Sequence, residues 1–194
     1  SISRHFLVHK GVHTAILSAA VSGLAMIFIG ILLSRPMLEW MGTPANIIDQ
    51  ATLYIRIFFL GTPALLLYNF GAAILRAVGD TRRPLYFLII AGVVNVLFNL
   101  FFVIVFHMGV AGVAIATVIS QYISATLILI CLTNNEGVCR LMPKELRIHK
   151  EQLAEILRIG LPAGLQGVIF NISNVLIQSS VNSFGSVVVA GNTA

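Results

Sequence analysis

Four stretches of this chain carry no Asp, Glu, Lys or Arg: residues 11–34, 57–75, 84–135 and 159–194. No other feature restricts the possible folds so much. A helix that crosses a bilayer needs about 20 apolar residues, and each of the first two stretches is long enough for one crossing. The third is too long for a single helix and holds a turn signal, His107-Met108-Gly109, near its middle. It reads as two spans joined by a tight loop. The fourth gives one span and, after Asn182-Ser183-Phe184-Gly185, the start of another. The sequence therefore predicts five complete membrane helices and part of a sixth, in an all-α polytopic bundle.

Composition agrees. Apolar residues make up 58% of the 194, charged residues 10%, and mean hydropathy is +0.96. Soluble domains carry about a quarter charged residues, so this surface suits lipid.

The placement of charge sets an orientation. When the spans alternate sides, one side collects Arg4, Lys10, Arg76, Arg82, Arg83, Arg140, Lys144, Arg147, Lys150 and Arg158. The other side holds only Arg35 and Arg56. Basic residues stay cytoplasmic, so the first side is expected to face the cytoplasm of a multi-pass cell-membrane protein. The net charge of +5 is thereby explained by topology, and no nucleic-acid partner is expected. Cys131 and Cys139 match no metal pattern and face a reducing compartment, so they read as inert thiols.

The first span is expected over about 13–33 after a polar lead-in at 1–12, with Ala15, Ala19, Ser22, Gly23 and Gly30 as close-packing positions. An outer loop at 34–51 carries Pro36, Pro44 and Asp49, flanked by the interfacial aromatics Trp40 and Tyr54. The second span, about 52–76, contains Pro63, expected to bend it. Gly79-Asp80-Thr81-Arg82-Arg83-Pro84 reads as a turn with Gly79 past a helix end and Asp80 or Thr81 as the next cap. The third and fourth spans are expected over about 85–106 and 111–132. From Pro143 to Arg158 the pattern predicts an amphipathic interfacial helix, before a fifth span opening at Gly160-Leu161-Pro162.

No hydrolase, metalloprotease or P-loop motif is present, and no pair of carboxylates falls inside a span, so no enzymatic activity is expected. Polar residues inside spans are costly without partners. Asn95 and Asn99 are four apart and share a helix face; Thr117 and Gln121 do the same on the next helix. The two sets can meet across the tight loop and offer neutral oxygens to a small hard cation. Interhelical hydrogen bonding that only holds the bundle together is the competing reading. Asn171, Asn174, Gln178 and Asn182 form a longer stripe, either the wall of a polar cavity or a packing seam. Arg56 is expected to snorkel, His13 to sit at an interface, and Arg82 and Arg83 to set topology rather than bind headgroups or gate the inner side.

The segment Gly71-Ala72-Ala73-Ile74-Leu75-Arg76-Ala77-Val78-Gly79-Asp80-Thr81-Arg82-Arg83-Pro84 resembles the cytoplasmic signature of multidrug and toxic compound extrusion (MATE) transporters. Asn95-Val96-Leu97-Phe98-Asn99, followed by the run Gly109 to Thr117, is similar to that family's next hairpin. Gly160-Leu161-Pro162-Ala163-Gly164 is similar to the start of its second half.

The resemblance implies twelve helices in two six-helix bundles. Residues 1–132 would then be the second part of the N-terminal bundle with four membrane helices. Residues 133–158 would be a cytoplasmic loop with the linker helix, and 159–194 the start of the C-terminal bundle. The chain would be a piece of a longer one, partnered by its remaining helices and by membrane lipid.

The resemblance further implies export of organic cations or amphiphilic drugs in exchange for Na⁺ or H⁺ by alternating access, with no cofactor beyond that coupling ion. Family members with an N-bundle cation site use an Asp on the first helix, an Asn and an Asp four apart on the fifth, and a Thr on the sixth. Asn95 and Thr117 match these, and Asn99 stands in place of that second Asp. The cation-site candidates are therefore Asn95, Asn99 and Thr117, and the substrate-cavity candidates Gln121, Asn171, Asn174 and Gln178. The alternatives are a lipid-linked oligosaccharide flippase of the same superfamily and a non-transporting membrane scaffold.

Overall fold

The computed structural model describes residues 2–183 apart from 43, 136 and 138, with side chains over 7–174 and at 177 apart from those same three. Five long helices account for almost all of it: α1 (Ile2–Trp40), α2 (Ile48–Ala77), α3 (Arg82–Leu100), α4 (Gly109–Thr133) and α5 (Lys150–Ser183). No strand occurs among the described residues. All five helices are long and apolar enough to cross a membrane, and the protein is a multi-pass membrane protein. The sixth span expected after Asn182-Ser183-Phe184-Gly185 lies outside the described residues.

The chain forms two compact units, 1–149 and 150–194. In the first, α2 packs against both α1 and α4, while α3 leans on α4 and touches α2 only lightly. Small residues allow this closeness, as their spacing predicts. Gly23 of α1 lies against the backbone of Pro63, where a Cβ would collide with the Pro63 Cα. The outward faces stay apolar and exposed, as on α3 at Leu85, Leu88, Ile89, Val96 and Leu97. Such faces suit lipid or further helices.

The α2–α3 turn has the caps its sequence predicts. Gly79 takes φ +88°, a left-handed conformation that glycine adopts without a Cβ penalty. Its N–H donates to Arg76 O at 3.0 Å and the Asp80 N–H donates to Leu75 O at 2.9 Å, the paired bonds of a Schellman ending. Asp80 then caps α3 by accepting the Arg83 N–H at 3.2 Å. Arg83 also pairs with the Asp80 carboxylate at 3.1 Å, in keeping with a turn-located charge. The buried hydroxyl of Tyr68 donates to Pro84 O at 2.7 Å and fastens α2 to the start of α3.

Several boundaries differ from the sequence expectation. The lead-in and much of the outer loop are helical, because α1 runs unbroken from Ile2 to Trp40 and carries Pro36 within it. The amphipathic helix does not begin at Pro143. Residues Pro143–Glu145 form one 3₁₀ turn, residues 146–149 are irregular, and α5 starts at Lys150. That helix then passes through Gly160-Leu161-Pro162 without interruption. Pro162 removes only the one donor that would reach Arg158 O, a loss that long membrane helices tolerate. The third span ends in a π-helical turn, Phe101–Val105, and the loop reverses through His107 at φ 50° and Gly109 at φ 55°.

His13, expected at a span entrance, is packed within the fold and only 1% exposed. Its Nδ1–H donates to His9 O at 2.7 Å and its Nε2 accepts the Met142 N–H at 3.0 Å. Next to it, Thr14 Oγ1 accepts the His149 N–H at 3.2 Å. These bonds strap the segment after α4 onto α1. Val12, Ile16, Leu75, Ile128, Leu132, Cys139 and Leu141 form the apolar cluster beneath the strap. Burial raises the Cys139 thiol pKa above its ordinary value, which favours the unreactive protonated form expected of an inert cysteine. Arg56 Nε donates to Ser34 Oγ at 3.2 Å, so it also ties α2 to α1.

Candidate functional site

α3 and α4 are joined by a tight turn and pack side by side, which brings their polar faces together. The Asn95 side-chain amide donates to Thr117 Oγ1 at 3.3 Å and lies 3.5 Å from Ser120 Oγ. One turn along α3, the Asn99 amide donates to Asn95 Oδ1 at 3.0 Å. Asn95, Asn99 and Thr117 thus form one network, as their spacing predicts.

Asn95 and Thr117, but not Asn99, border a cavity of about 370 Å³ whose polar lining is Asn95, Thr117, Ser120, Gln121 and Ser124. Leu65, Leu88, Ala91 and Gly92 supply its apolar wall. The three hydroxyls are held by their own helix: Thr117 donates to Val113 O at 3.0 Å, Ser120 to Thr117 O at 2.8 Å, and Ser124 to Gln121 O at 2.9 Å. Their protons point back along α4, leaving oxygen lone pairs as acceptors.

Two carbonyl oxygens stand apart. Asn99 Oδ1 and Gln121 Oε1 are buried and have no hydrogen-bond partner among the described residues. Gln121 reaches its position because Gly61 of α2 faces it: a Cβ at Gly61 would overlap Gln121 Oε1. Nearby, the Tyr122 hydroxyl donates to Leu60 O at 2.9 Å and fixes α4 against α2. No described acidic residue lines the cavity. The arrangement thus gathers amide and hydroxyl oxygens with no formal charge, a donor set suited to a hard monovalent cation and too weak to hold one tightly by itself.

The sequence analysis missed Ser120 and Ser124 as lining residues. Ser120 lies three residues after Thr117 on the same face, and that spacing could have marked it. Gln121 borders the same cavity as Asn95 and Thr117. Asn171 and Asn174 lie on α5 in the second unit and are exposed. Gln178 and Asn182 also fall within α5, but their side chains lie outside the described residues.

Comparison with known proteins agrees with this architecture. The family model described as MatE matches residues 6–101. The chain is 39% identical over 163 residues to the "Probable multidrug resistance protein YpnP" of Bacillus subtilis, covering 84% of this chain and 36% of that protein. It therefore spans little more than a third of that relative's length. A solved MATE structure in a bent conformation superposes with TM-score 0.81 at 22% identity, over 96% of this chain and 46% of that one. A multidrug resistance MATE transporter in the outward-facing conformation gives TM-score 0.80 at 22% identity, over 89% and 39%. At such identities these two establish the fold alone. The family's members are transporters rather than enzymes. With the helical bundle, the family match and the similarity to YpnP all in agreement, the chain belongs to the MatE family, the multidrug and toxic compound extrusion transporters.

Proposed function

We propose that this chain is part of a secondary active antiporter that exports organic cations or amphiphilic drugs in exchange for Na⁺ or H⁺ by alternating access. In this reading Asn95, Asn99 and Thr117 help hold the coupling cation. Gln121, Asn171, Asn174 and Gln178 line the path of the substrate. The similarity to the probable multidrug resistance protein YpnP supports the substrate class.

The observation that carries the cation assignment is Asn99 Oδ1, buried and without a hydrogen-bond partner among the described residues, one helical turn from the Asn95–Thr117 contact. Such an orphan costs about 1–3 kcal/mol if nothing satisfies it. A network serving only to join two helices gains nothing from leaving acceptors free. A cation coordinated by Asn99 Oδ1 offsets its cost. The cavity's neutrality implies that a carboxylate elsewhere in a full-length protein supplies the charge.

Asn95→Leu in the full-length protein separates the two readings. It removes the amide that bridges Asn99 to Thr117 and Ser120. A coupling role predicts loss of ion-dependent transport, with the melting temperature lowered by no more than a few degrees. Unchanged ion dependence together with a large melting loss assigns the network to packing alone.

A further inference from the structure

At the basic end of the first unit, the strap after α4 and the start of α1 line a second, open cavity of about 250 Å³. Lys10, Lys144 and Arg147 line it together with His9, His13 and His149, and Glu145 is the one carboxylate among its described lining residues. Lys144 and Arg147, both exposed, set two permanent cations against that carboxylate. We propose that this cavity binds a phosphate group, carried by an anionic lipid headgroup or by free phosphate.

The geometry decides between an anion and the obvious alternative, a metal ion. Donor atoms of His9, His13 and Glu145 do lie within 4.8 Å of one another. But the His13 Nε2 lone pair is already taken by the Met142 N–H at 3.0 Å, and its Nδ1–H is held by His9 O. His13 is therefore a strut of the cavity wall. The surrounding ammonium and guanidinium groups would repel a divalent cation and attract a phosphate, which guanidinium recognises through paired N–H donors. Glu145 Oε2 lies 3.8 Å from His9 Nε2, so the carboxylate sits beside another residue of the same lining.

Position favours the headgroup source. The cavity lies where the charge-free run of 11–34 begins, the depth at which a spanning helix meets lipid phosphates. Ile148, 43% exposed, adjoins Arg147 on the strap, so an apolar contact borders the basic one. Basic pockets at the cytoplasmic end of membrane helices bind anionic headgroups in this way. The proposal does not depend on the transport reading above.

The test uses the full-length protein purified in detergent. Retention of phosphatidylglycerol against phosphatidylcholine is measured by native mass spectrometry, and melting is followed with inorganic phosphate or Zn²⁺. The wild type should retain phosphatidylglycerol preferentially. Lys144→Gln with Arg147→Gln should weaken that retention about tenfold, whereas Arg76→Gln on the same side should leave it unchanged. Thr14 contacts the strap through the Arg147 carbonyl and the backbone N–H and imidazole Nδ1 of His149, so the two substitutions remove none of its partners.

Glu145→Gln should strengthen retention several-fold, a gain that partial unfolding does not mimic. If inorganic phosphate raises the melting temperature and phosphatidylglycerol is not retained, the site holds with free phosphate as its ligand. Equal loss in Arg76→Gln, no change in the double variant or in Glu145→Gln, or stabilisation by Zn²⁺ with no response to either phosphate form, overturns the proposal.

Discussion

Asn99 shows what a single residue decides in the α3–α4 polar network. Its amide is spent on Asn95 Oδ1 at 3.0 Å, and its own oxygen is left buried and unpartnered. Asn99→Asp keeps the shape, removes that donor and adds a carboxylate. Burial raises such a group's pKa and a bound cation lowers it. Cation binding should therefore tighten at high pH and be lost as pH falls through the carboxylate's pKa. Cation-dependent melting measured across pH checks this; a pH-independent response, or a lower melting temperature at every pH without cation dependence, would count against a cation at this position. The sequence made this network legible because four-residue spacing places side chains on one face. It did not reveal the orphaned oxygens, since Gln121 takes its place through Gly61 of α2, 60 residues earlier.

Among the helices, absence of charge marked the spans well and their ends poorly. The charge-free runs locate the part that sits in lipid, whereas helices continue into polar flanks. α1 thus extends across residues 2–12 and on to Trp40, although the sequence read a lead-in and a loop there. Caps were more legible than lengths: Gly79 and Asp80 behave as their residue types dictate. The strap was not legible, because the His13–Met142 contact joins residues 129 apart and no local pattern encodes it. The α2–α3 fastening by Tyr68 gives a quantitative check. Tyr68→Phe leaves Pro84 O buried without its donor and should cost about 0.5–2 kcal/mol. Reversible denaturation in detergent would show it; an unchanged unfolding free energy would mean that the hydroxyl contact holds nothing.

For the whole molecule, orientation is the first consequence to test. Ten of the twelve Lys and Arg residues fall on one side of the alternating spans, so that side should face the cytoplasm. A cysteine at Thr81, tested in a background lacking Cys131 and Cys139, should resist an impermeant thiol reagent in intact cells, and one at Ala45 should react. Labelling at Thr81 with none at Ala45 would invert the bundle and move the phosphate cavity to the outer face.

The measurement that bears most directly on the account is gradient-driven exchange by the full-length protein in proteoliposomes loaded with a fluorescent organic cation. An opposing Na⁺ or H⁺ gradient should accelerate its exit, and Asn95→Leu should abolish that acceleration while the protein stays folded. Exit that ignores both gradients in a folded wild type would contradict a coupled antiporter and leave the α3–α4 network as structure alone.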